Sequence, residues 1–85
     1  MNLTFTPDGW TDYLWLHANE PKLLNKLHRL LAECQRTPFE GTGKPEPLKH
    51  EYAGFWSRRL TEEHRLVYAV EPDAITVIAC RSHYE

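Results

Sequence analysis

Long apolar runs are missing from this chain. The longest, such as Leu66-Val67-Tyr68-Ala69-Val70, are far too short to cross a bilayer. Nor does the amino terminus, Met1-Asn2-Leu3-Thr4-Phe5, join a basic region to an apolar stretch, so no secretory signal is visible. Cysteine is scarce: Cys34 and Cys80 stand far apart, and two reduced, buried thiols are expected rather than one disulfide. These absences make a cytoplasmic protein with no membrane partner the expectation. A surplus of positive charge is lacking too, since 10 Lys and Arg against 12 Asp and Glu leave a formal net charge of -2. Nucleic-acid binders are usually basic, so the balance argues against a simple one.

Several catalytic signatures are also absent. Gly41-Thr42-Gly43-Lys44 looks like part of a phosphate loop, but Pro38 occupies the position that needs the first glycine. Pro45 then follows the lysine where Ser or Thr is required. No Gly-x-Ser-x-Gly elbow is found, which leaves serine acyl transfer without support. His50, His64 and His83 lack the spacing of metal ligands, so neither a metal nor a cofactor is expected.

What is present suits a single folded domain spanning residues 1–85. Hydrophobic residues make up 41% of the chain and charged residues 26%, which argues against disorder. With so short a chain the core is thin, and the tryptophans and leucine clusters must supply much of it. Charge is unevenly spread: Lys44, Lys49, Arg58, Arg59, Arg65 and Arg81 all fall in the second half. Such a local patch can hold phosphate on a slightly acidic protein, although solvated strand faces produce the same residues.

Residues 2–5 read as a strand. Thr6-Pro7-Asp8 then reads as a helix start, with Thr6 as cap, Pro7 at the first helical position and Asp8 favourable to the dipole. The spacing predicts that Trp10, Tyr13, Leu14 and His17 share the packed face of that helix. After Asn19-Glu20-Pro21, Leu23, Leu24, Leu27, Leu30, Leu31 and Cys34 form a clear stripe, with Lys22, Lys26, Arg29 and Glu33 off it. Helices joined so closely should form a hairpin. Residues 37–50 hold three prolines and two glycines, which predicts a long ordered loop without a regular element. Strand-like runs follow at 55–61, 64–70 and 74–83, joined by Glu62-Glu63 and the Pro72-Asp73 turn. The order β-α-α-β-β-β predicts an α+β fold, with the helical hairpin on one face of a twisted antiparallel sheet.

Alternation carries the functional argument further. In the last run Ile75, Val77, Ala79, Arg81 and His83 are expected on one face; in the run before it, Arg65, Val67 and Ala69 share a face. Arg65 near the start of one strand and His83 at the end of the next are neighbours in an antiparallel hairpin. Glu46, between Pro45 and Pro47, is a carboxylate on a stiffened segment that the long loop could deliver there. A carboxylate, an arginine and a histidine suffice to cleave RNA without metal: one takes the 2'-hydroxyl proton, one stabilises the phosphorane, and one protonates the leaving oxygen. Tyr84 could stack on a base. Each residue also has a plainer reading. Glu46 is then a solvated loop charge, Arg65 a cross-strand partner of Glu62 or Glu63, and His83-Tyr84 a frayed tail.

At these residues the chain resembles a known family. Arg36-Thr37-Pro38-Phe39-Glu40-Gly41, Gly43-Lys44-Pro45-Glu46-Pro47-Leu48-Lys49-His50, Gly54-Phe55-Trp56-Ser57-Arg58-Arg59 and Thr61-Glu62-Glu63-His64-Arg65-Leu66-Val67-Tyr68 closely resemble YoeB-type toxins. These belong to the RelE superfamily of toxin–antitoxin ribonucleases. Arg81, His83 and Tyr84 fit the family's ending. The resemblance runs over essentially the whole chain and is strongest from Arg36 onward. It implies a RelE-like, microbial-RNase-like fold and an mRNA interferase that cuts within the A site of the 70S ribosome. Carried over by position, Glu46 would be the general base, His83 the general acid and Arg65 the phosphate stabiliser. Lys49 and Arg59 would add phosphate contacts, with Arg58 and Lys44 beside them on the RNA, and Tyr84 would help hold the nucleotide. The resemblance further implies a cognate YefM-like antitoxin and a homodimer. One departure is Glu85, a carboxylate beyond the usual His-Tyr ending, expected to lower activity or to point into solvent.

Overall fold

The computed structural model describes residues 1–81. Five strands form one sheet in the order β1-β5-β4-β3-β2. They are β1 (Asn2–Phe5), β2 (Glu46–Pro47), β3 (Phe55–Arg59), β4 (Arg65–Glu71) and β5 (Ala74–Ala79). Helices α1 (Pro7–Asn19) and α2 (Leu24–Arg36) lie between β1 and β2, joined by a single 3-10 turn at Pro21–Leu23. The α+β architecture expected from the sequence is therefore present, with one change in the sheet. β1 pairs parallel to β5, from Asn2↔Ala74 to Phe5↔Val77, whereas the other pairings are antiparallel. The Thr4 and Thr76 hydroxyls meet at 2.6 Å across that pair.

Helix α1 begins where its capping signals place it. Thr6 accepts from the Gly9 N–H at 3.0 Å, with Pro7 following in the first turn. The packed face differs from the one expected. Trp10 and Leu14 remain 47% exposed and His17 is exposed, while Gly9 and Leu16 are buried. The cause is the close approach of the helix to β5: a Cβ on Gly9 would lie 2.3 Å from the Val77 carbonyl oxygen. Only glycine permits that contact, and it rotates the bulky residues outward. Trp10 stacks on Tyr13 at 5.3 Å, and the Tyr13 hydroxyl meets His28 Nε2 at 2.8 Å, bridging the two helices.

Helix α2 packs as its stripe predicts. Leu27, Leu30, Leu31 and Cys34 join Leu16, Leu60, Leu66, Tyr68, Ile75, Val77 and Cys80 in one buried cluster. Each fully buried leucine contributes about 1.5–3 kcal/mol. Cys34 and Cys80 are both free and buried.

Two details of the sheet escaped the reading of the sequence. Glu46 and Pro47 form a short edge strand within the loop, in register with Ser57 and Trp56. An edge tolerates proline because its missing N–H would face away from the ladder. The second detail is a bulge in β5. Val67 pairs with Ala79 but Tyr68 with Val77, leaving Ile78 as the extra residue. The bulge takes Ala79 off the face that Ile75 and Val77 share and sets it beside Val67, and β5 ends at Ala79, with residues 80 and 81 outside it.

Candidate functional site

Pairing register defines the row of residues that crosses the sheet near its centre: Glu46, Ser57, Val67 and Ala79. Arg59 pairs with Arg65 two positions further along. Residues two apart share a face, so Glu46, Ser57, Arg59 and Arg65 all lie on the face turned away from the helices. Leu66 and Tyr68, by the same alternation, face the core.

The side chains confirm this placement. Arg65 Nη1 lies 3.5 Å from Glu46 Oε1 and 3.5 Å from Ser57 Oγ. Both contacts are long, and among the described residues Arg65 makes no tighter hydrogen bond. Arg65 is 21% exposed and Glu46 58% exposed along their side chains, so the cation is held back in the surface and the carboxylate stands forward. Glu62 and Glu63 do not take Arg65. Glu63 lies instead 3.6 Å from His64 Nε2.

Two glycine-bearing turns bring Glu46 to this edge. Gly41 and Gly43 adopt φ of +121° and +85°, a region that side chains rarely enter. The Gly43 carbonyl then accepts from the Arg59 N–H at 2.7 Å, and the Leu48 N–H donates to Phe55 O at 2.9 Å. The ladder thus continues past both ends of β2. Lys44 and Lys49 are exposed on the segments that flank it.

Arg58 corrects one expectation. It is fully buried on the helix side of β3, and its guanidinium is committed to Glu33, Tyr68 and three loop carbonyls. A ligand on the opposite face cannot reach it. Its place in the structure is that of an internal cation. Ser57 is the converse: a buried hydroxyl beside Arg65 that the reading of the sequence passed over, although its alternation with Arg59 marked it. His83 and Tyr84, the expected acid and nucleotide contact, lie outside the described residues, as does Glu85.

Other polar residues gather where the carboxy-terminal end of α1 meets the start of β4. His64 is buried and meets Glu20 Oε2 at 2.8 Å, in the geometry of an ion pair. Glu20, Glu63 and His64 bring one ligand atom each within 4.8 Å of one another, the one group among the described residues with the donor set for a metal ion. Arg81 lies over the Trp15 ring at 3.8 Å from its centre.

The chain and its fold are similar to proteins of known kind. The description of the YoeB-like toxin of bacterial type II toxin–antitoxin systems matches residues 5–84. Toxin YoeB of Escherichia coli (strain K12) is 52% identical over 84 residues, covering 99% of this chain and all of that one. Among solved structures, the YoeB/ParE toxin from Agrobacterium tumefaciens superposes with a TM-score of 0.93 at 45% identity, covering 99% of this chain and 100% of that one. A Staphylococcus aureus YoeB, solved as a dimer and in a YoeB–YefM complex, gives TM-scores of 0.90 and 0.88 at 41% identity, over 99% of this chain and 98% of that one. The protein is thus a toxin of a type II toxin–antitoxin system. It belongs to the YoeB family, and its fold is the RelE-like one expected from the sequence.

Proposed function

We propose that this toxin is a ribosome-dependent mRNA interferase that cleaves messages in the ribosomal A site without a metal. The observation that carries the reading is the 3.5 Å approach of Arg65 to Glu46 on the sheet face away from the helices. In this reading the Glu46 carboxylate takes the proton of a 2'-hydroxyl, and that oxygen attacks the adjacent phosphorus. Arg65 stabilises the charge that builds on the phosphorane. His83 protonates the departing 5'-oxygen, leaving a 2',3'-cyclic phosphate and a 5'-hydroxyl. Lys49, Arg59 and Lys44 supply phosphate contacts, and Tyr84 holds the nucleotide. Arg58 has no part in binding RNA.

The net charge of -2 agrees with a substrate presented by the ribosome, because a local patch then suffices. A YefM-like antitoxin is the proposed partner, in line with the Staphylococcus aureus complex, and a homodimer the proposed assembly. The proposed compartment is the cytoplasm, where ribosomes and message are found. No helix of the described residues is long and apolar enough to cross a membrane.

The test is cleavage of a defined mRNA with and without ribosomes, with 5' ends mapped. Cuts within A-site codons are expected for the wild type. Glu46→Ala, Arg65→Ala and His83→Ala should each lose about 10²–10⁴-fold in rate, the usual range for an acid–base group. Stalled but intact messages would overturn the enzymatic reading, and full activity of His83→Ala would overturn the acid assignment.

A further inference from the structure

Residues 37–42 form a surface loop whose carbonyls turn inward. Arg58 Nη1 donates to Thr42 O at 3.2 Å and to Glu33 Oε1 at 2.6 Å. Nη2 donates to Thr37 O and, at 2.9 Å, to Glu40 O. Nε donates to the Tyr68 hydroxyl at 3.2 Å, and that hydroxyl donates to Pro38 O at 2.6 Å. Glu33 closes the ring by accepting from the Thr42 N–H at 2.6 Å and the Thr42 hydroxyl at 3.0 Å. Every polar face of one buried guanidinium is therefore spent on ordering this loop and its carboxylate tie to α2. The fork geometry of arginine suits the task, since a lysine ammonium could not span the same acceptors.

The loop so held leads directly into the site. A Cβ on Gly41 would lie 1.9 Å from Glu33 Oε1, so the turn is pressed against the carboxylate. Two residues later the Gly43 carbonyl joins the backbone of Arg59, and Glu46 pairs with Ser57. Arg58 sits between Ser57 and Arg59 on β3. Its side chain grips the incoming loop on one face while its neighbours meet Glu46 and Arg65 on the other.

We infer that Arg58 and Glu33 are positioning residues: the pair sets the reach and orientation of the Lys44–Glu46 segment over the phosphate site without touching RNA. Arg58 is fully buried and Glu33 partly so, and an ion pair of this kind adds little net stability compared with apolar packing, so the geometry it imposes is its principal product. This inference rests on Glu46 acting as the base. Displacing a reacting group by about 1 Å costs on the order of 10²-fold in rate, which sets the expected effect.

The test uses the full chain with Glu33→Gln, Thr42→Val and Arg58→Lys, and Ile75→Val as a control weakened in the core on β5, two strands from Arg58. Two measurements are made: amide hydrogen exchange across residues 37–48, and kcat and KM on mRNA-programmed ribosomes. Glu33→Gln and Arg58→Lys should accelerate exchange in the loop alone and lower kcat roughly 10–100-fold with KM unchanged. Thr42→Val should do so to a smaller degree, and Ile75→Val should keep the wild-type kcat. A loosened loop with wild-type kcat would overturn the inference, and so would unaltered exchange in Glu33→Gln. Should Arg58→Lys fail to fold, Glu33→Gln and Thr42→Val, at the outer side of the ring, still decide the matter. A wild type that cleaves nothing overturns the catalytic reading and with it the base; the exchange data would then report only whether the pair holds the loop.

Discussion

Arg58 and Arg59 are consecutive on β3, yet one is fully buried beneath the helices and the other exposed on the opposite face. Truncating each should therefore give unequal losses. Arg58→Ala leaves Glu33 and several loop carbonyls without their donor and should cost about 3–5 kcal/mol, the range for breaking a buried pair. Arg59→Ala should change stability by no more than about 0.5 kcal/mol. Urea denaturation of the two variants checks this, and equal losses would contradict the assignment of faces.

Arg59 and Lys49 should instead reveal themselves through salt. Each phosphate contact on single-stranded RNA contributes about 0.7 to the slope of log affinity against log salt. Arg59→Ala or Lys49→Ala should flatten that slope by roughly this amount on a short single-stranded RNA. An unchanged slope would remove the residue from the phosphate contacts.

Gly9→Ala should reverse the usual effect of such a change. In a helix alanine is ordinarily better than glycine by about 1 kcal/mol. Here the added Cβ would lie 2.3 Å from the Val77 carbonyl oxygen, forcing α1 off β5. Overpacking of this kind costs about 1–3 kcal/mol, so the midpoint of thermal unfolding should fall rather than rise.

Acid should weaken the loop anchor. Hydrogen bonds from the Thr42 N–H and from Arg58 hold the Glu33 carboxyl below its ordinary value of 4.5. A group whose folded pKa is depressed stabilises the protein above the unfolded value, and that contribution is lost as pH falls through the folded one. Wild-type stability should therefore drop as pH falls below 4.5, and the drop should be smaller in Glu33→Gln. Identical pH profiles for the two proteins would show that Glu33 is not held in this way.

Alkali should be slow to ionise Tyr68. Burial raises its phenol from 10.0 to about 12, partly opposed by the hydrogen bond from Arg58. Because the folded state holds this proton more tightly, its contribution is present below pH 10 and is lost as pH rises toward 12. Tyrosinate absorbance of the folded protein should show a component that ionises only near pH 12 and that is missing in Tyr68→Phe.

Local chemistry was legible wherever the physics is local. The Thr6-Pro7 start of α1, the leucine stripe of α2 and the Pro72-Asp73 turn joining Glu71 to Ala74 are all written in neighbouring residues, and each appears as read. Alternation likewise put Arg65 opposite Leu66 and Tyr68, and so on the right side of β4. The proline-flanked Glu46 was recognisable as a residue held still, although the two-residue strand that holds it was not.

Distance along the chain set the limit of that reading. The parallel pairing of β1 with β5 joins residues more than seventy positions apart, and nothing near either strand announces it. The packed face of α1 was decided by one glycine against a remote carbonyl, while counting large apolar residues pointed to the wrong side. A single bulge reversed the alternation at Ala79. Alternation alone puts Arg58 and Arg59 on opposite faces, but it cannot say which face the helices will cover. The acceptors that decide it lie 16 to 25 residues away, in the loop and on α2. The sequence by itself determined both helices, four of the five strands, the α+β class and the residue types of the candidate site. The tertiary structure alone decided which arginine is buried against the loop and which is left exposed on the open face, because burial is a property of what the chain brings from afar.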